Sequence, residues 1–438
     1  MADNYTKNCT VFPSVVRADG RSVKITIHPL YEHIRKLLGS AVKIKVFRVD
    51  ATNVCVIRTI DAVKPSPFTI TENGDITVDV ACELEGEYII KVDHTKNDGT
   101  VAELTAFHIY ALKDDLYCKL PFKGDFHMHS FCSDGYESPA YVAAGCRMHG
   151  MDFMALTDHK LYAPSLTAIE EMRKFNCDML VLPGEEIHLN GCPAHLLNFG
   201  GSKSINEMAF SDEEKYRAEV QEYIKKLPYD YDDNTMFEIA AGEWVFDRIA
   251  ECGGISLFCH PFWRPMRKGH IGDDLINAHL ERGKFDALEV FGGFYVPDIE
   301  GNMLSMTRFY QEIANGKKYA PVGVSDAHGT DERLAGWYFT IVFAEKLDFE
   351  SIKDAIKNSM CVAVQHLPGV YPLIAGSFRL VQFAYFLMRE FYPMHDELCR
   401  VEGEIMRRAL AENEPDAADL MAKRSGTVSH YINSFHGK

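Results

Sequence analysis

The chain has no run of about 18 apolar residues, the length that a membrane-spanning helix needs, so no membrane span is expected. Its opening, Met1-Ala2-Asp3-Asn4-Tyr5-Thr6-Lys7, lacks a basic stretch followed by an apolar one, so no secretory signal is expected. The 12 cysteines are scattered, with neither a paired framework nor the Cys-x-x-Cys spacing of a zinc site. Reduced thiols and a cytoplasmic location are the expectation. Positive charge is scarce: 46 Lys and Arg stand against 63 Asp and Glu, for a net charge of −17. That balance argues against a broad nucleic-acid-binding face, although a small basic pocket is compatible with it. Internal repeats and low-complexity segments are also missing.

What is present describes a folded protein. The 438 residues are too many for one ordinary core, so two or three domains are expected. Hydrophobic residues make up 47% and charged residues 25%, as in globular chains. Residues 1–120 read as β. Val23, Ile25 and Ile27 alternate with Lys24, Thr26 and His28; Ile76, Val78 and Val80 alternate with Thr77 and Asp79. Asn73-Gly74 is a turn signal. Short alternating strands with turns predict an antiparallel β-sandwich, here an accessory domain in which no chemistry is evident.

Over residues 121–370 the pattern changes to alternating strands and helices, interrupted at 201–250 by an insertion with two predicted helices. Ser138-Pro139 opens one helix as N-cap and first-turn proline. Ser211-Asp212-Glu213-Glu214 has the form of a capping box. The alternation predicts a largely parallel α/β fold, most simply a barrel, whose active site lies at the carboxyl ends of its strands. Residues 371–438 form a C-terminal helical extension, with helical stretches over 378–410, interrupted near Pro393, and 417–435.

The chemistry lies where strands end. Gly124-Asp125-Phe126-His127-Met128-His129-Ser130 places two histidines one residue apart, so that both point to one side of an extended strand. Asp134-Gly135 follows closely. Later strand ends carry Asp158-His159, Glu185-Glu186, His195, His260-Pro261 and Asp326-Ala327-His328. Any one of these has an ordinary structural explanation, such as a turn histidine or a helix-capping aspartate. Together they are a donor set of imidazole and carboxylate that suits zinc, manganese or iron.

These motifs resemble the PHP (polymerase and histidinol phosphatase) superfamily of metal-dependent phosphoesterases, over residues 121 to 368 apart from the insertion. The resemblance implies a distorted (β/α)7 barrel, with three divalent metal ions per chain (manganese, zinc or iron). It places His127, His129, Glu186 and Asp326 on one ion. Glu186 then bridges to a second ion completed by His195 and His260, while Asp134, His159 and His328 hold the third. Glu186 is preferred to Glu185 by the family's Gly-x-Glu pattern, and His195 to His188 by its distance past the glutamate. Asp158 then orients a ligand. His270 and His279 fall outside the set. Lys160, after His159, and the insertion depart from the family pattern and leave substrate identity open.

The activity so implied is hydrolysis of a phosphomonoester or phosphodiester by a metal-activated hydroxide, with Glu186 and Asp326 at the reacting centre. Arg264, Arg267 and Lys268 are the candidates for gripping phosphate, Arg264 first, with Lys160 and Arg333 behind them. The expected substrate is a small phosphorylated metabolite, nucleotide or short oligonucleotide. No extended nucleic acid or membrane is expected as partner, and the oligomeric state stays open, a homodimer being one option. Two alternatives share the barrel: a metal-dependent amidohydrolase or deacetylase, and a non-catalytic binding protein. The first usually needs a bridging lysine, and no strand-end lysine is evident.

Overall fold

The computed structural model describes residues 8–49, 64–96, 98–265, 268–296, 299–331, 333–412 and 416–438. The chain divides into two compact units. One comprises Met1–Leu120, Tyr385–His395 and Thr427–Lys438, the other Pro121–Ala384 and Asp396–Gly426.

The first unit contains β1 (Cys9–Phe12), β2 (Val15–Arg17), β3 (Ser22–Pro29), β4 (Ala41–Arg48), β5 (Phe68–Ile70), β6 (Ile76–Ala81), β7 (Gly86–Thr95) and β8 (Val101–Leu112). They form two four-stranded sheets, ordered β1-β3-β6-β5 and β2-β8-β7-β4. The alternation read from the sequence is what pairs them. Ile25 faces Val78 and Ile27 faces Ile76 across β3 and β6, and all four are buried. Ile44, Ile90, Val92, Phe107 and Ile109 of the second sheet join them in one hydrophobic cluster. Each such side chain contributes about 1.5–3 kcal/mol on burial. Two of its histidines, His28 and His108, lie against Asp75 and Glu87 respectively, each at 2.6 Å.

The second unit contains β9 (Leu120–Asp125), β10 (Phe153–Ala155), β11 (Leu180–Leu182), β12 (Gly184–Leu189), β13 (Cys192–Phe199), β14 (Ile255–Phe258), β15 (Ala287–Gly292), β16 (Ala320–Val324), β17 (Tyr338–Ala344), β18 (Cys361–Gln365) and β19 (Leu373–Ala375). Two sheets result, ordered β11-β10-β9-β17-β18-β19 and β12-β13-β14-β15-β16. The fold is therefore mixed α/β, and less parallel than the alternation predicts. Strands β9–β11 and β14–β16 run parallel, whereas β12-β13-β14 and β17-β18-β19 pair antiparallel. The reason is local at β12–β13: Asn190-Gly191, with Gly191 at φ 78°, is too short for a parallel crossover and closes a hairpin. Two isolated parallel bridges tie the sheets together: Met128, past β9, to Ala327, past β16, and His159, past β10, to Glu186 within β12.

The insertion holds three helices, not two: Ile205–Ser211, Glu213–Ile224 and Asp233–Glu251. Asp212, rather than Ser211, caps the second, its side chain accepting from the Lys215 N–H at 3.0 Å. Downstream, the long helical stretches divide into Phe378–Glu390, Tyr392–Glu412, Ala417–Arg424 and Thr427–Phe435. The first break precedes Pro393, whose ring is tolerated only in a first turn. The last falls at Ser425-Gly426, where Gly426 has φ 74°. No helix among the described residues is long and apolar enough to cross a membrane.

Candidate metal centre

Just past β9, backbone hydrogen bonds lock two chain segments side by side. The His129 N–H donates to the Ala327 carbonyl and the Asp326 N–H to the His127 carbonyl, both at 2.9 Å. Buried Asp125 adds a third tie, accepting from the Ser325 N–H at 3.1 Å. His127 and His129 thus face Asp326 from alternate positions of one extended segment, as their spacing requires. Their Nε2 atoms lie 3.2 and 3.0 Å from Asp326 Oδ1. Both also approach Glu186 Oε2, at 3.3 and 3.4 Å.

Glu186 sits within β12, not at a strand end. Alternation along that strand separates the two adjacent glutamates. Glu186 faces the histidines: its Oε2 is 2.8 Å from His159 Nδ1, and its Oε1 is 2.7 Å from His195 Nδ1 and 3.3 Å from His188 Nε2. Glu185 faces away and accepts from the Ser204 hydroxyl, the Ile205 N–H and the amides of Asn206 and Asn198. Asn206 also donates to the Glu186 carbonyl and accepts from the His188 N–H, so it pins β12 in place.

Asp134 completes a third group. Its Oδ2 is 3.4 Å from His159 Nε2 and 3.3 Å from His328 Nε2. The turn that carries it is held by Asp158, which accepts from the N–H and hydroxyl of both Ser130 and Ser133. Asp158 therefore positions the Asp134 turn; its carboxylate bonds are made there. Gly135 closes this turn where a Cβ would run into the His129 carbonyl. His260 is buried, with its Nε2 3.9 Å from Asp326 Oδ2.

All nine residues proposed as ligands are thus in one cluster: His127, His129, Asp134, His159, Glu186, His195, His260, Asp326 and His328. Side-chain ligand atoms of His127, His129, Glu186 and Asp326 lie within 4.8 Å of one another, as do those of His129, Asp134, His159 and His328. His159, Glu186 and His188 form a further group of this kind. The structure brings both His188 and His195 to Glu186, so proximity alone does not choose between them. His270, outside the predicted set, packs edge-on against His195, with ring centroids 4.6 Å apart.

Charge explains why these groups tolerate burial together. Burial opposes ionisation of Glu186, but the imidazoles of His127, His159 and His188 outweigh it and hold the carboxyl well below its ordinary range. Asp326 is likewise held down, burial being overcome by His127, His129 and His260. Burial pushes His260 down to about 3, with His195 adding to the effect. Among the described residues, the ion-pair partners of Glu186 and Asp326 are all imidazoles. His129 Nδ1 and Glu186 Oε1 make no hydrogen bond, although Glu186 Oε1 is 2.7 Å from a ring nitrogen. Buried donor atoms converging without hydrogen bonds fit ligands aimed at shared cations. The backbone is also strained here. Lys160, His260 and Asp326 have φ of 63°, 21° and 53°, a region costly for residues other than glycine.

A cavity of about 800 Å³ opens over the cluster, walled by Tyr136, Trp263, Arg264, Phe294, Tyr295 and Glu300. Arg264 is the one arginine or lysine that lines it among the described residues, and it pairs with Glu300 at 3.0 Å. Lys160, Lys268 and Arg333 do not line it, and Arg267 lies outside the described residues.

Sequence reasoning missed Glu289. It lies in β15 among apolar neighbours and is fully buried, its Oε2 3.6 Å from His127 Nδ1. Burial pushes its carboxyl up to about 7, against the pull of His127. The available signal was a lone carboxylate inside the apolar run Ala287–Gly292. Cys259 Sγ belongs to the same group behind His127.

No family model matches this chain, and no curated protein does. Several solved structures are similar to it, three of them as follows. A two-domain protein of Bacteroides vulgatus, containing a predicted PHP-like metal-dependent phosphoesterase, is 19% identical over 57% of this chain, with TM-score 0.39. The match spans 66% of that protein, just under two thirds of its length. A protein of Bifidobacterium adolescentis, provisionally named a metal-dependent phosphoesterase, is 19% identical over 54% of this chain and 96% of its own, with TM-score 0.33. An amidohydrolase of Chromobacterium violaceum with bound sulfate is 14% identical over 48% of this chain and 89% of its own, with TM-score 0.31.

Proposed function

We propose that this chain is a metal-dependent phosphoesterase that hydrolyses a phosphomonoester or phosphodiester of a small substrate. The observation that carries the reading is Glu186, a buried carboxylate with His127, His129 and His159 at one oxygen and His188 and His195 at the other. A carboxylate so placed suits a bridge between two cations, and Asp134, His159 and His328 suit a third. Divalent ions bound there supply an activated water near neutral pH and neutralise phosphoryl oxygens. The protein's own part is to hold the ligands by the backbone locks at His127, His129 and Lys160. On this reading Arg264, which pairs with Glu300 at the cavity wall, exchanges that partner for an incoming anion. The same reading takes the two sheets of this unit as one distorted seven-stranded barrel, which the two interstrand bridges support. It takes the first unit as an accessory β-sandwich.

The test is purification followed by metal analysis and a panel of phosphate esters, nucleotides and N-acyl compounds. More than one metal per chain and phosphate release abolished by a chelator are expected. Deacylation without phosphate release would transfer the site to the amidohydrolase reading. Metal binding with no turnover would favour the non-catalytic one. Glu186→Gln is expected to lower kcat at least 10³-fold and to reduce the metal content.

A further inference from the structure

We infer that Glu289 is a positioning residue for the metal centre, acting through the far side of the His127 ring. The inference rests on the metal-site reading above. The two ring nitrogens of His127 face different partners. Nε2 points to Glu186 and Asp326, at 3.3 and 3.2 Å. Nδ1 points into the protein, where Glu289 Oε2 is 3.6 Å away. An imidazole offers a lone pair to a cation at one nitrogen only when the proton resides on the other. A carboxylate behind Nδ1 holds the proton there and fixes the ring plane, which raises the basicity of Nε2.

Three observations support this role over a purely structural one. Neither Glu289 oxygen has a donor at full hydrogen-bond geometry, and the polar groups that approach it, His127 and the His260 N–H, belong to the metal site rather than to the surrounding fold, unlike the four donors of Glu185. A buried carboxylate without hydrogen bonds is a net cost to stability, and is retained only against some other requirement. The packing is close on both sides: a Cβ at Gly292 would collide with the Glu289 carboxylate and with the Val324 carbonyl. Finally, two groups lie behind the His127 ring, Glu289 and the Cys259 thiol, and burial pushes the thiol up and keeps it neutral, so Glu289 is the carboxylate within reach of the Nδ1 proton.

The experiment compares wild type, Glu289→Gln and Glu289→Leu, reading metal affinity by chelator competition and stability of the metal-free forms by thermal melting. Glu289→Leu is expected to weaken the ion held by His127 by about 10–100-fold, while the Asp134–His159–His328 ion stays within about threefold of wild type. Its metal-free melting temperature should be equal or higher. Glu289→Gln keeps an acceptor oxygen and should recover most of the affinity. Unchanged affinity of all ions in Glu289→Leu would overturn the inference. So would a fall in metal-free stability with affinity preserved. If wild type itself binds no metal, the functional reading fails instead. As a check that needs neither variant to fold, ¹⁵N-histidine spectra of the zinc-loaded protein should show His127 bound through Nε2 with its proton on Nδ1; binding through Nδ1 would also overturn the assignment.

Discussion

Adjacent glutamates on β12 do opposite work because a strand turns successive side chains to opposite faces. Glu185 satisfies four donors, so Glu185→Ala is expected to leave them unpaired and to cost about 3 kcal/mol of stability. The metal content per folded molecule should hold. Urea unfolding together with metal analysis checks both parts. Glu186→Gln should show the reverse pattern, with stability kept and metal lost. The Gly-x-Glu pattern already favoured Glu186 in the sequence, and period-2 geometry within a paired strand supplies the physical reason. His188 marks a limit of such patterns. It lies two positions from Glu186, on the same face, and reaches the same carboxylate. Linear distance from the glutamate could not weigh it properly, because a hairpin folds His195 back to the same spot.

At the scale of elements, the site depends on turns being held in register. Asp158 shows how: four hydrogen bonds from Ser130 and Ser133 order the turn that presents Asp134. On the proposed metal-site reading, Asp158→Ala is expected to release that turn and weaken binding of an ion at Asp134, His159 and His328 about tenfold or more, with less effect on binding at Glu186. Metal stoichiometry under graded chelator is the measurement. Strand ends were legible because apolar runs stop abruptly at polar clusters. The β12–β13 hairpin was not, because Glu185-Glu186 reads as the polar end of the strand at Leu180–Leu182, while in three dimensions a further strand, β12, begins after Pro183 in the other sheet. The insertion's third helix was missed for a related reason. Ile205–Ser211 is only seven residues long, too short for periodicity to stand out.

For the molecule as a whole, buried neutral histidines away from the metal centre predict acid sensitivity. Burial pushes His279 down to about 4 and His436 down to about 3. Both rings stay uncharged in the folded protein, whereas in the unfolded chain each takes a proton near its ordinary value of about 6.5. Their contribution is therefore complete above about pH 6.5 and is lost as the pH falls toward 4. For His279, the loss between pH 7.5 and pH 5 is about 2 kcal/mol. Urea midpoints of the metal-free protein at those two pH values should fall accordingly, and His279→Leu should flatten the dependence by about one proton.

From its own order of residues, the chain determined which donors it could offer and where they would emerge. Strand alternation, proline and glycine punctuation and the abrupt ends of apolar runs act over a few neighbouring positions. Only the tertiary structure decided which donors meet. His129 and Asp326 are 197 positions apart, and their contact follows from pairing between distant segments. The same holds for Glu289: in sequence it is one charge in an apolar strand, and it gains a role only because the fold sets it behind the ring of His127. Burial then gives these contacts their strength, since removing water lets imidazoles and carboxylates act on one another across a few ångströms.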